Sequence, residues 1–227
     1  MHLNIINKPW GYEFTLFQND NVLVTYLHLR NGSSTSLHCH PSKRTGYIVL
    51  SGEVEVEFLA EKKFFSTGDK VNFRPGLFHR TRSLSSECIV LEIESPPNKN
   101  DLLRLEDSFG RTQTDYESST IEVDEVLEYK YKNYIAELSD KKKESEIYIG
   151  EYKISRSFIK DLEYLFMCEK KNTIISILNK PIKGYANKKK FPEIVRPGDV
   201  TTVEILERMK GILCVDTNYE ILAISKK

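Results

Sequence analysis

The chain has 227 residues, of which 40% are hydrophobic, 11% aromatic and 29% charged; 33 Lys+Arg balance 33 Asp+Glu, for a formal net charge of zero. That length supports one or two domains with a real core, and the balanced charge gives no electrostatic reason to expect nucleic acid or an anionic membrane as partner. No apolar run approaches the ~20 residues of a spanning helix, the opening MHLNIINKPWG lacks a secretory pattern, and four scattered cysteines without CxxC speak against a disulfide framework, so a reducing cytoplasm is the expected location.

Residues 20–95 read as short strands: Asn21–Leu29, Gly46–Leu50, Glu53–Phe58, Lys70–Phe73 and Cys88–Ile93. They are rich in Val, Ile, Tyr and Phe and are separated by Asn-Gly, Ser-Gly, Thr-Gly-Asp and Pro-Gly turns. Glu53–Phe58 alternates strictly between carboxylate and apolar residues, as a half-buried antiparallel strand does. Such spacing predicts an all-β sandwich or barrel. Asp101–Phe109 is read as a short helix, and Leu127, Tyr131, Tyr134 and Leu138 form a helical stripe between Asp124 and Leu138. Ser139–Glu146 is the most polar stretch and the predicted linker. Strand pattern resumes in Ile147–Ile154, Thr173–Leu178, Val200–Ile205 and Tyr219–Ile224.

A faint internal repeat accompanies this pattern. Thr45-Gly-Tyr-Ile-Val-Leu-Ser-Gly and Thr173-Ile-Ile-Ser-Ile-Leu-Asn-Lys lie 128 residues apart, and each is followed by Lys-Lys-Phe and then a Gly-Asp turn. The expected organisation is a barrel over residues 1–115, a helical connection and linker over 116–146, and a second β unit over 147–227.

Three of the five histidines carry the chemistry. His38 and His40 sit two apart on an extended segment and point to one side, with Cys39 opposite. His79 follows the Pro75-Gly76 turn on a later strand and can meet the pair inside a barrel. Three neutral imidazoles suit one divalent first-row metal with positions left open, and spacing does not distinguish zinc, iron, manganese or nickel. Lys43, Arg44, Arg74, Arg80 and Arg82 flank these histidines in a chain without net charge. That concentration favours an anionic small molecule. Lys43 and Arg74 weigh most, because Arg80 and Arg82 alternate away from His79. Tyr47 shares the face of Thr45 and is either a pocket residue or wall; Glu92 and Glu94 share one face of a strand and offer a general base if that face is inward.

These motifs resemble the cupin superfamily: Gly32, five residues, His38, one residue, His40, four residues, Thr45, six residues, Gly52; then Gly68, five residues, Arg74-Pro75-Gly76, two residues, His79. Thr45 stands where that pattern has a glutamate, Arg74 where it has a proline, and Ser83 where it has an asparagine. Lys8-Pro9-Trp10-Gly11-Tyr12, Leu91-Glu92-Ile93-Glu94 and Asp101-Leu-Leu-Arg104-Leu-Glu-Asp107-Ser-Phe-Gly110-Arg111 are similar to blocks of the cupin domain of type II mannose-6-phosphate isomerases. The resemblance covers about residues 8 to 111.

It implies a small antiparallel double-stranded β-helix with a metal in its mouth, held by His38, His40 and His79. The faint repeat then implies a bicupin with a degenerate second unit. The implied activity is isomerisation or epimerisation of a phosphorylated or nucleotide-linked sugar in surface-polysaccharide precursor supply. In it Glu92 and Tyr47 are the catalytic candidates, and Lys43, Arg74 and Thr45 face the substrate. With Thr45 in place of a glutamate, the metal's charge is expected to stay uncompensated by the protein. Two other readings stay open: a three-histidine iron dioxygenase, and a sugar-binding cupin without turnover. The resemblance also implies a homodimer. Carrying the offset forward from His38 and His40 lands on Phe166 and Cys168, and counting from the Gly-Asp turn puts Met209 at the position of His79, so the expected role of the second unit is scaffold or interface.

Overall fold

The computed structural model describes residues 3–110, 119–140, 145–185 and 191–227. The N-terminal strands are β1 (Ile6–Lys8), β2 (Gly11–Gln18), β3 (Leu23–Arg30), β4 (Leu37–Cys39), β5 (Arg44–Ser51), β6 (Glu53–Phe58), β7 (Lys62–Ser66), β8 (Lys70–Phe73), β9 (His79–Ser83), β10 (Glu87–Ser95) and β11 (Leu103–Glu106). They form a six-stranded sheet in the order β1-β2-β3-β10-β5-β8 and a five-stranded sheet in the order β11-β4-β9-β6-β7. The pairs are antiparallel, and the two sheets close on a core that includes Trp10, Leu27, Leu29, Tyr47, Val49, Val54, Val56, Phe73 and Val90.

The central strands of the six-stranded sheet are covered on both faces, which is why β3, β5 and β10 read as near-continuous apolar runs. Leu27, Leu29, Tyr47, Val49, Cys88 and Val90 point into the barrel. Val24, Tyr26, Ile48, Leu50, Leu91 and Ile93 point outward into a second core. Alternation along β10 therefore places Glu92 and Glu94 on the inner face, after Cys88 and Val90.

Helix α1 (Glu125–Ser139) starts at Asp124, whose side chain accepts from Leu127 N, and buries Tyr131, Tyr134, Ile135 and Leu138. The helix expected over Asp101–Phe109 is instead β11 followed by a turn. An isolated helix of that length nucleates poorly, whereas the edge of β4 offers it backbone partners. Residues 141–144 of the predicted linker lie outside the described residues.

The C-terminal elements are β12 (Ser145–Ile149), β13 (Tyr152–Asp161), α2 (Leu162–Cys168), β14 (Ile174–Ile177), β15 (Ile182–Lys183), β16 (Glu193–Val195), β17 (Val200–Thr202), α3 (Val203–Arg208) and β18 (Thr217–Lys226). Their five-stranded sheet has the order β12-β13-β18-β14-β17. This is the order β2-β3-β10-β5-β8 over again, and the register agrees. The outward row Phe17, Val24, Ile93, Gly46, Asn72 corresponds to Ile147, Ile154, Ile224, Ile174, Thr202.

The second sheet of the barrel is not repeated among the described residues. In chain order α2 stands where the first unit has β4, α3 where it has β9, and the β15–β16 ribbon where it has β6 and β7. Capping side chains make the switch. Asp161 accepts from Tyr164 N at 2.8 Å, and Thr202 from Ile205 N at 3.3 Å. The strand expected over Val200–Ile205 thus ends at Thr202.

The two like sheets pack outer face to outer face, with α1 filling the remaining space. Asn72 Nδ2 donates to Val200 O at 2.9 Å and Val200 N donates to Asn72 Oδ1 at 2.7 Å. A Cβ on Gly46 would lie 2.7 Å from both Gly198 O and Val200 Cγ1. Gly46→Ala is therefore expected to destabilise the chain by about 1–3 kcal/mol through overpacking. Gly211→Ala, with nothing within 4 Å, is expected to be near neutral; paired urea denaturation curves check both.

Candidate metal centre

His38 lies on β4, His40 directly after it, and His79 opens β9 opposite His38 in the ladder. All three are buried, and their ring centroids are 5.0, 4.6 and 5.7 Å apart. One ring nitrogen from each lies within 4.8 Å of the others. Each Nδ1–H donates to a backbone carbonyl: His38 to Ser36 at 2.8 Å, His40 to Asp101 at 2.7 Å, His79 to Leu77 at 2.9 Å. That arrangement fixes ring orientation and leaves the lone pair on Nε2.

Burial holds the rings neutral. It pushes His38 down to about 3, helped by His40, and His40 down to about 2, helped by Lys43. Burial likewise holds His79 well below the usual range, with His38 adding to it. Nε2 of His40 and of His79 has no hydrogen-bond partner among the described residues. Buried acceptors without donors are costly, and three neutral imidazole nitrogens at this spacing match what a divalent first-row cation needs. The donor set fits the metal that the resemblance implies.

Two carboxylates stand beside the rings. Glu94 faces Thr45 across the β5–β10 ladder. Its Oε1 is 3.9 Å from His40 Nε2 and forms an ion pair with Lys43 Nζ. Glu92 stands opposite Tyr47 in the same ladder, and both side chains line the pocket. Burial and the neighbouring Glu94 push Glu92 up to about 8, while burial and Glu92 hold the Tyr47 hydroxyl far above its ordinary range. Burial alone would lower the Lys99 ammonium, but Glu13, Glu94 and Glu92 around it raise it above the lysine range. These groups line a pocket with Lys8, Trp10 and Arg104.

The sequence-predicted residues divide in two. His38, His40, Lys43, Tyr47 and Glu92 line this pocket. Lys43 is buried in its wall, 2% exposed and held by Glu94. Thr45 is buried beside it, its hydroxyl without a partner among the described residues. Arg74 is exposed and borders a different groove, with Phe58, Leu59 and Leu77. The turn after it is tied to the backbone beside the site, Gly76 N donating to His40 O at 2.9 Å, while the Arg74 side chain borders the other groove. Arg44 pairs with Asp199 of the C-terminal unit, and Arg80 with Glu57 and Glu106. A carboxylate does accompany the histidines despite Thr45, from the neighbouring strand.

Sequence reasoning missed Glu13 and Lys99, which pair at 3.1 Å on the pocket wall. It also missed the work of Asp101, whose carbonyl orients His40 and whose carboxylate accepts from Ser42 N and Lys43 N at 3.0 and 2.8 Å. The only signal was that two motif blocks, around Trp10 and Asp101, carry these contacts. Gly11 explains part of the first block. A Cβ there would lie 1.8 Å from His28 O, so only glycine lets β2 lie on β3 at this point with Trp10 beside it.

The second unit lacks the equivalent groups. Register places Ser155, Ala223 and Ile175 where the first unit has Thr25, Glu92 and Tyr47. Ala223 and Ile175 belong to an apolar core with Leu162 and Leu165 of α2 and Val203 and Leu206 of α3.

The chain is 30% identical over 120 residues to the alginate biosynthesis protein AlgA of Pseudomonas putida, covering 51% of this chain and 24% of that protein. It is 28% identical over 111 residues to the xanthan biosynthesis protein XanB of Xanthomonas campestris, covering 47% of this chain and 24% of that one. The match thus spans about a quarter of those relatives' length. The crystal structure of the capsular polysaccharide assembling protein CapF from Staphylococcus aureus aligns with a TM-score of 0.43 and 18% identity, over 47% of this chain and 35% of that one. Among the described residues no helix is long and apolar enough to cross a membrane. The family model described as a cupin domain matches residues 25–94, which run from β3 to β10 and contain all three histidines, and the N-terminal barrel of this chain is a cupin domain.

Proposed function

We propose that this protein is a metal-dependent cupin that isomerises or epimerises a phosphorylated or nucleotide-linked sugar in the supply of surface-polysaccharide precursors. One observation carries the reading. Three histidines held by backbone carbonyls bring one ring nitrogen apiece within 4.8 Å of the others, and His38 and His40 line a pocket that also holds Tyr47 and Glu92. His38, His40 and His79 hold the cation, which when bound supplies a Lewis acid for a carbonyl oxygen.

The chain's own residues supply the rest. Glu92, buried in the pocket opposite Tyr47, is the group placed to carry a proton between neighbouring carbons. Trp10 gives the pocket an apolar wall for a sugar ring, and Lys8, Lys99 and Arg104 add positive charge to its lining for an anionic group. The similarity to alginate and xanthan biosynthesis proteins supports the polysaccharide context.

The test is solvent-hydrogen exchange. Metal-loaded protein is incubated in D2O with mannose 6-phosphate, with a nucleotide-linked 4-keto sugar and with free mannose, and the sugars are followed by NMR. Deuterium entering at the carbon next to the carbonyl of a phosphorylated or nucleotide-linked sugar, and not of free mannose, is the expected result. Tight binding without deuterium uptake would make the barrel a binding module. Oxygen uptake with a thiol would make it a dioxygenase.

A further inference from the structure

We infer that Glu94 is the anionic metal ligand of this centre in place of the motif position held by Thr45, and that Lys43 holds the Glu94 carboxylate when no metal does. Metal and ammonium then compete for one side chain. The inference rests on the metal-dependent reading above and goes beyond it, because the ligand comes from a different strand.

The ladder gives the first argument. Glu94 and Thr45 are directly opposed on β10 and β5, so their Cβ atoms are only about 5 Å apart. A carboxylate lost from position 45 is thereby restored from the adjacent strand on the same inner face. Distance gives the second. Glu94 Oε1 lies 3.9 Å from the unpartnered Nε2 of His40. Its other oxygen, Oε2, is buried without a hydrogen-bond partner among the described residues. Of the two carboxylates within reach of His40, Glu92 stands opposite Tyr47 in the ladder, and only Glu94 has a buried oxygen without a partner among the described residues. Glu94 is the one with an oxygen to give.

Lys43 supplies the third argument. A lysine that is 2% exposed is rare, and a buried charge persists only when paired. Its ammonium reaches Glu94 and the Asn98 carbonyl, the latter at 3.1 Å. The backbone on either side is pinned, since Asp101 accepts from Lys43 N. A positive charge is thus built in next to three neutral imidazoles, paired with the carboxylate a dication would take. After exchange, Lys43 keeps the Asn98 carbonyl and the pocket it lines.

Zn2+ calorimetry and Co2+ absorption on the metal-stripped full chain test this. Glu94→Gln alone leaves a buried ammonium unpaired and risks misfolding. The readable comparison is therefore Lys43→Met against Lys43→Met/Glu94→Gln, in which both charges leave together. Freed of its competitor, Glu94 in Lys43→Met is expected to give Zn2+ affinity about tenfold above wild type, and the double variant to bind about tenfold more weakly than Lys43→Met. The Co2+ visible bands are expected to match between wild type and Lys43→Met and to shift in the double variant. Equal Zn2+ affinity and identical Co2+ bands in the two variants would overturn the assignment of Glu94 and leave the metal centre standing. Binding by none of the proteins would remove the metal-dependent reading itself.

Discussion

Replacing His38, His40 and His79 together with glutamine is expected to take divalent-metal binding from stoichiometric to undetectable while the barrel stays folded. The reason is that the core is built by other residues, among them Leu27, Leu29, Val49, Val54, Val56 and Val90, and glutamine keeps a polar side chain of similar bulk. A second effect has a definite sign. In chelator the folded protein holds His38 down to about 3 and His40 down to about 2, chiefly by burial, against about 6.5 in an unfolded chain. Depressed histidines contribute stability that is present above the unfolded value and is lost as pH falls towards the folded ones. Wild type should therefore lose stability steeply below about pH 6.5, and the triple variant should lose less. Elemental analysis and urea denaturation at neutral and acid pH measure both effects. Full metal occupancy in the triple variant, or parallel acid limbs, would refute the account.

Glu92→Gln is expected to lower turnover by at least about a hundredfold, since the amide neither takes nor gives the proton. Metal binding by the three histidines should survive. The same change should make the metal-free protein more stable in alkali. Burial, with Glu94 beside it, pushes the folded Glu92 carboxyl up to about 8, against 4.5 as its ordinary value. A raised carboxyl contributes stability that is full below its unfolded value and is lost as pH rises through the folded one. Wild type carries the whole cost of a buried negative charge above pH 8, and glutamine carries none of it. Stability curves that coincide from pH 5 to 9 would show that Glu92 is not held in this way. Unchanged turnover would remove it from the chemistry.

Spacing alone made the histidines legible. Two residues on an extended segment and a third beyond a Pro-Gly turn are local patterns that a barrel brings together, and the inner-face alternation of β10 follows from the same rule. The α1 stripe was legible because Tyr131, Tyr134 and Leu138 face one core. The burial of Lys43 was not legible because its ion pair reaches across to another strand, at Glu94. Arg74 was drawn towards the pocket by its neighbourhood to His79, whereas the turn at Pro75 and Gly76 carries it into another groove. Val200–Ile205 read as one strand because Val, Thr, Thr and Val favour strands. Only the cap geometry of Thr202 shows that the chain turns into α3 there.

The covered outer face of the six-stranded sheet has a consequence for how this barrel lives in solution. Tyr26, Ile48, Leu50, Leu91 and Ile93 form an apolar surface that a barrel on its own would expose to water or press against a sister molecule. Here the chain meets that surface with an equivalent sheet of its own, joined at Asn72 and Val200. The second unit behaves as a built-in subunit. Because it is tethered, its local concentration is on the order of millimolar whatever the number of molecules in the cell. Integrity of this face is thereby freed from dilution, which a separately encoded partner could not guarantee.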